Sequence, residues 1–169
     1  HLDIGCGGLR FAVPAAALAA AIDDCIDKRV RGAVVVTAVD HSTLDMSALV
    51  AHARRNGLRL IGPASMGVAS PRPDVMIQAA LVRVSLPPGN VAVSMQSGTL
   101  GSSLLRLADS LDLGLSWFVS LGDKCDLSAN DLLQFWEDDD ATQVIALYTE
   151  SLGNPRKLVR IARRVSTRK

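Results

Sequence analysis

The sequence predicts an α/β chain: two small βαβ units, each with a parallel sheet. Two observations carry this. Short β-branched or aromatic runs that are apolar nearly throughout, rather than alternating, have the pattern of strands covered on both faces. Between them lie stretches whose apolar residues recur at three and four, so each makes a helix with one stripe to press on a sheet. Strand and helix alternate over most of the 169 residues, the order that crossover connections need.

The elements follow in order. Residues 9–13 (LRFAV) read as the first strand, and 15–28 as a helix with Leu18, Ile22, Cys25 and Ile26 inward. Residues 33–37 (AVVVT) are the second strand, followed by a helix over 46–56 with Met46, Leu49, Val50 and Ala53 on its inner face, then a third strand over 59–61. After a break come a strand over 91–95 and a helix over 100–111, whose stripe is Leu100, Leu104, Leu107, Ala108 and Leu111. Residues 115–120 (LSWFVS) are a strand, and Ser128-Ala-Asn-Asp131 is a capping-box-like start to a helix with Leu132, Leu133 and Trp136 inside. A strand over 144–148 (VIALY) precedes the last helix, where Pro155 suits the first turn because its missing N–H costs nothing there.

The alternation stops between Gly62 and Gly89, where five of the seven prolines gather. The expected organisation is therefore residues 1–62, a linker over 63–88 with 80–86 as an irregular strand, and residues 89–169. Each side yields three strands, which is small for a free-standing sheet domain. Both units are expected to be incomplete pieces of a longer protein.

Composition narrows the function classes. The chain is 49% hydrophobic and 21% charged, with 18 Lys+Arg against 17 Asp+Glu, so nothing electrostatic favours nucleic acid or an acidic membrane surface. The basic run over 154–169 reads as a solvated helix face with cations near the helix C-terminus. Cys6, Cys25 and Cys125 are too widely spaced for a disulfide framework or a metal knuckle, which points to a reducing cytoplasm, with Cys25 packed in its helix stripe. No apolar run reaches the roughly 18 residues that would span a bilayer, and the start lacks a signal-peptide pattern. No metal-ligand spacing occurs among His, Cys and the carboxylates.

In an open parallel sheet, ligands sit beyond the carboxyl ends of strands, so the loops there are the candidates. The loop Met95-Gln-Ser-Gly-Thr99 is the most informative. Its serine is not a nucleophile elbow, because Met95 and Thr99 stand where that motif needs glycines. Gly5-Cys-Gly-Gly8 is not followed by the helix start of a dinucleotide fingerprint, and no P-loop occurs. Two readings of Gln96, Ser97, Gly98 and Thr99 remain open: an anion cradle at a helix start, or a plain helix cap. Of the histidines, His1 is terminal, His52 lies off its helix's apolar face, and only His41 is on a candidate ligand loop. The run Glu137-Asp-Asp-Asp140 reads as an exposed turn, whereas Glu150 directly follows a strand at the ligand edge.

Taken together, residues 60–67 (LIGPASMG), 88–101 (PGNVAVSMQSGTLG), 119–123 (VSLGD), 139–150 (DDATQVIALYTE) and 154–157 (NPRK) resemble the NDP-forming acyl-CoA synthetases, the superfamily of the succinyl-CoA synthetase α subunit. The resemblance implies a Rossmann-like CoA-binding part followed by a flavodoxin-like domain. It implies the reaction of an acid, CoA and ATP to acyl-CoA, ADP and phosphate through a phosphohistidine, with ATP/ADP handled by an ATP-grasp domain or subunit. It makes Gln96, Ser97, Gly98 and Thr99 the helix start that holds the phosphate, and Glu150 the carboxylate that orients the histidine. Val13, Pro14, Thr37, Ala38, Gly62 and Pro63 would line the CoA site.

Three departures qualify this. The family's glycine-rich CoA loop is not found, Ala64 stands where the family has Asn after Gly-Pro, and none of His1, His41 or His52 matches the phosphorylated motif. The 169 residues alone are therefore expected to be inactive. The second reading is a CoA- or acyl-CoA-binding regulatory module fused to a protein acetyltransferase, and the third an unrelated α/β fragment with a capped helix at Ser97.

Overall fold

The computed structural model describes the backbone of Leu9–Phe11 and residues 13–169. The readings of His1, Cys6, Gly5–Gly8 and Ala12 lie outside the described residues. The described residues form two sheets. The first has three parallel strands in the order β1 (Leu9–Phe11), β2 (Gly32–Val35), β3 (Arg59–Ile61), joined by α1 (Leu18–Asp27) and α2 (Met46–Arg55). The stripes act as expected: Leu18, Ile22 and Cys25 of α1 and Met46, Val50 and Ala53 of α2 are buried in one core with Ala33, Val35 and Leu60. Each fully buried aliphatic side chain there contributes about 1.5–3 kcal/mol over its exposed state.

The second sheet has five strands: β4 (Val68–Ser70), β5 (Ile77–Gln78), β6 (Pro88–Met95), β7 (Leu115–Ser120) and β8 (Val144–Tyr148), in the spatial order β5-β4-β7-β6-β8. β6, β7 and β8 are parallel, while β4 runs antiparallel to β7 and to β5. The stretch expected to be a linker thus supplies two strands. Residues 80–86 form no strand among the described residues, yet they alternate like one: Ala80 and Val82 are buried and Leu81 and Arg83 exposed. The turns at Pro71, Pro73 and Pro87 hide these short pieces from a periodicity search.

α3 (Gly98–Ser110) covers one face of this sheet, with Leu104 and Leu105 against Val93, Met95 and Phe118. α4 (Ala129–Glu137) covers the other, with Leu132 and Trp136 against Ala92, Trp117 and Val119. α5 (Pro155–Val165) packs on α4 through Ile161, Val165 and Leu133. β7 is buried at every position, as its uninterrupted apolar run predicts. β8 is not: it is an edge strand, and Val144, Leu147 and Tyr148 are exposed.

The stripe expected for α3 holds at Leu104 and Ala108 and fails at its other three leucines. Leu100, Leu107 and Leu111 face outward, and the buried face is Gly101, Leu105 and Ala108. The cause is Gly101: a Cβ there would stand 3.1 Å from Phe118 Cζ, so the helix seats its smallest residue on a large ring. The acidic run is also not the exposed turn expected. Glu137 is buried and takes Arg164 in a forked ion pair, and Asp139 accepts from Arg72, Thr142 and the Trp117 indole. Only Asp138 and Asp140 of the run are exposed, because buried carboxylates need partners and the other two have them.

The two sheets are tied by backbone. Ala64 and Ser65 donate to Thr37 and Val35 of the first unit, while Asp123, Cys125 and Leu127 donate to Pro63, Gly62 and Leu60. Gly122 has φ 54°, and a Cβ there would collide with the Pro63 carbonyl, so this crossing needs glycine. Beside it the Asp126 side chain, fully out of solvent, accepts from Arg54, Arg59 and the Leu60 N–H at 2.5–3.2 Å.

Candidate functional site

α3 starts at Gly98, two residues before the helix read from the sequence, within the Gln96–Thr99 stretch that the cap and cradle readings shared. Ser97 is the N-cap: its Oγ accepts from Leu100 N at 3.4 Å, and its carbonyl accepts from Gly101 N at 3.0 Å. Among the described residues, the N–H groups of Gly98 and Thr99 have no partner. They point out of the first turn of a 13-residue helix, where the aligned peptide dipoles favour an anion. The cap reading and the cradle reading are therefore compatible, since the cap uses one N–H and leaves others free.

Glu150 belongs to the same edge. Met95 of β6 pairs in register with Tyr148 of β8, so the residues that follow each strand lie side by side. Gln96 bridges them. Its N–H donates to Tyr148 O at 3.0 Å, and its side-chain Oε1 accepts from the N–H groups of Glu150 (2.9 Å) and Ser151 (3.2 Å). Lys124, from the loop after β7, donates its Nζ to the Ser151 carbonyl. The Glu150 carboxylate is exposed and has no ion-pair partner among the described residues. β6 runs on into α3 on one face of the sheet and β8 into α5 on the other, so the crevice between them is a topological switch point, where open α/β sheets bind ligands.

The six candidate CoA residues come together at the carboxyl edge of the first sheet. Thr37 Oγ1 donates to Val13 O at 2.6 Å, and Ala64 N donates to Thr37 O at 2.9 Å. Pro14 and Ala38 are exposed beside them, and Gly62 and Pro63 are buried where that edge meets the second sheet. From there the loop over 62–67 runs on to the helix start: Met66 packs against Gly98, where a Cβ would stand 2.8 Å from Met66 Cγ. The loop over 62–67 thus touches both the edge of the first sheet and the start of α3.

Sequence reasoning missed Lys124, Met66 and Asp123. Asp123 closes the 119–123 segment of the family resemblance and Lys124 follows it, but neither carried a role in the sequence reading. His41 meets Asp123 at 3.2 Å across the two units, and His52 pairs with Asp23 of α1 at 2.8 Å. Burial and then Asp123 push the Cys125 thiol up, and burial does the same to Cys25, so neither is a ready thiolate at neutral pH. Among the described residues no cluster of His, Cys, Asp and Glu is placed to hold a metal ion, and no helix is long and apolar enough to cross a membrane.

Comparison with known proteins gives the same direction. Residues 88–169 match the family model of the succinyl-CoA ligase like flavodoxin domain. The chain is 34% identical over 163 residues to the ADP-forming acetate–CoA ligase I of Archaeoglobus fulgidus, covering 93% of this chain and 23% of that protein. It is 36% identical over 121 residues to the alpha subunit of the ADP-forming acetate–CoA ligase I of Pyrococcus furiosus, covering 72% of this chain and 26% of that one. Its fold superposes with a TM-score of 0.87 and 32% identity on the dinucleotide forming acetyl-coenzyme A synthetase 1 of Ca. Korarchaeum cryptofilum solved with phosphate and ADP, covering 99% of this chain and 37% of that chain. The chain spans about a quarter of the length of these curated relatives. It belongs to the NDP-forming acyl-CoA synthetase superfamily, with residues 88–169 as its succinyl-CoA ligase-like flavodoxin domain.

Proposed function

We propose that this chain is the part of an NDP-forming acyl-CoA synthetase that carries CoA-binding loops on its first sheet and the phosphate-binding helix start on its second. The whole protein would join a carboxylic acid to CoA at the expense of ATP, releasing ADP and phosphate through a phosphohistidine, with ATP handled by an ATP-grasp domain or subunit. Residues 1–62 are the CoA-binding part and 89–169 the ligase part, with 63–88 both connecting them and completing the second sheet.

The observation that carries this reading is the pairing of free Gly98 and Thr99 N–H groups with the Glu150 turn at one switch point. CoA, when bound, supplies the thiol that accepts the acyl group. The chain's own residues do the rest. The first turn of α3 and the Ser97 and Thr99 hydroxyls hold the phosphate by hydrogen bonds and by the helix dipole. Glu150 accepts the N–H of the histidine ring, which fixes its tautomer and leaves the other nitrogen to carry the phosphoryl group. Val13, Pro14, Thr37, Ala38, Gly62 and Pro63, at the carboxyl edge of the first sheet, line the CoA site.

The test is the nucleotide product. The intact protein, given a carboxylic acid, CoA and ATP, is expected to form ADP and phosphate in step with acyl-CoA. Formation of AMP and pyrophosphate, or of no thioester with any short acid, would overturn the reading.

A further inference from the structure

Gln96 stands out because its side chain is spent within the protein although it lies at the lip of the phosphate cradle. An amide oxygen that accepts from two successive backbone N–H groups fixes the orientation of the whole amide, since only Oε1 can face two donors. The turn it grips is the one that presents Glu150. The same turn is held from the opposite side by Lys124 Nζ on the Ser151 carbonyl, and Gln96 N to Tyr148 O closes the ring at the strand end. No other side chain among the described residues touches the Glu150 or Ser151 N–H.

We propose that Gln96 is a positioning residue. Its carbonyl oxygen sets the Glu150–Ser151 turn at a fixed place beside the first turn of α3, so that Glu150 meets the histidine ring without first ordering a loop. This rests on the roles given above to α3 and Glu150. It also revises the place of Gln96 in the cradle, from a direct phosphate ligand to the brace of a neighbouring group. A misplacement of about 1 Å in a group that orients a reactant costs on the order of 100-fold in rate, and loss of an outer partner typically about 10–100-fold.

The experiment compares wild-type, Gln96→Met and Gln96→Glu forms of the intact protein. Phosphoenzyme formation is followed with γ-labelled ATP, KM for CoA is measured, and amide hydrogen exchange is read at residues 150 and 151. Met fills the same space without an acceptor; Glu keeps the acceptor and removes the amide donor. The expected result is a fall of about 10–100-fold in phosphoenzyme formation for Gln96→Met, faster exchange at 150 and 151, and an unchanged KM for CoA. Gln96→Glu is expected to recover most of that loss and to restore the protection. Phosphoenzyme formation by Gln96→Met within threefold of wild type, unchanged exchange at 150 and 151, or a Gln96→Glu form as slow as Gln96→Met would overturn the proposal while leaving the ligase reading intact. A wild-type protein that takes no label would overturn the ligase reading and this proposal with it.

Discussion

Replacing Asp126 tests whether the two sheets are held as one body by a buried ion pair. Asp126 has no solvent contact on its side chain, while Arg54 and Arg59 are 51% and 35% exposed. In Asp126→Ala the arginines therefore turn to water and forfeit little, about 0–1 kcal/mol each. The Leu60 N–H has no such escape, because Leu60 is buried, and leaving it unpaired costs about 1–3 kcal/mol. Together these give a loss of about 1–5 kcal/mol, a range that extends below the roughly 3–5 kcal/mol of breaking a fully buried pair, because the two arginines are part-exposed. Asp126→Asn keeps an acceptor for Leu60 N–H and is expected to lose about half as much. Urea denaturation of the two variants, with the exposed Asp27→Ala as control, measures this. A loss below 1 kcal/mol for Asp126→Ala, or equal losses for Asp126→Ala and Asp126→Asn, would refute the reasoning.

Three further predictions follow from the packing. Leu105→Ala is expected to destabilise by about 2–5 kcal/mol and Leu107→Ala by less than about 0.5 kcal/mol, because Leu105 is buried and Leu107 faces solvent; the reverse order in thermal melts would restore the helix phase the sequence suggests. Gly122→Ala is expected to cost at least about 2 kcal/mol, since it adds a Cβ at positive φ against the Pro63 carbonyl, and a melt matching wild type would contradict that crossing. Acid should weaken the fold in a definite way. Burial pushes the Asp139 carboxyl up, but hydrogen bonds from Thr142 and Arg72 outweigh it, and the Arg164 hydrogen bond holds Glu137 below the usual range. Both folded pKa values are thus depressed, so their contribution is full above the unfolded values near pH 4 and is lost as pH falls through the folded ones. Denaturation curves at stepped pH should show a shallower acid loss in Asp139→Asn than in wild type.

Much of the architecture was legible because it is local. The runs AVVVT and LSWFVS specify strands, the stripes of α1, α2 and α4 specify inner faces, and Ser97 and Ser128 mark helix starts. The shared carboxyl edge of the first sheet was legible because strand ends in a parallel sheet lie on one side, which brings Thr37 to Val13 and Ala64 to Thr37 without any local signal. What escaped depends on residues far apart in the chain. The α3 phase is set by Phe118 meeting Gly101, Glu137 is buried because Arg164 reaches it, and the Gln96 side chain accepts from Glu150, 54 residues away. β4 and β5 were hidden for another reason. Strands of two or three residues show no period of their own, and these two lack the helix on their N-terminal side that marked out 59–61.

The central claim, that the start of α3 is a phosphate site facing Glu150, is tested most directly by crystals of the intact protein soaked in phosphate. A phosphate bound to the N–H groups of Gly98 and Thr99, with the Glu150 carboxylate across the crevice, is the predicted result. A first turn of α3 that stays empty at saturating phosphate, while phosphate binds elsewhere in the same crystal, would contradict it.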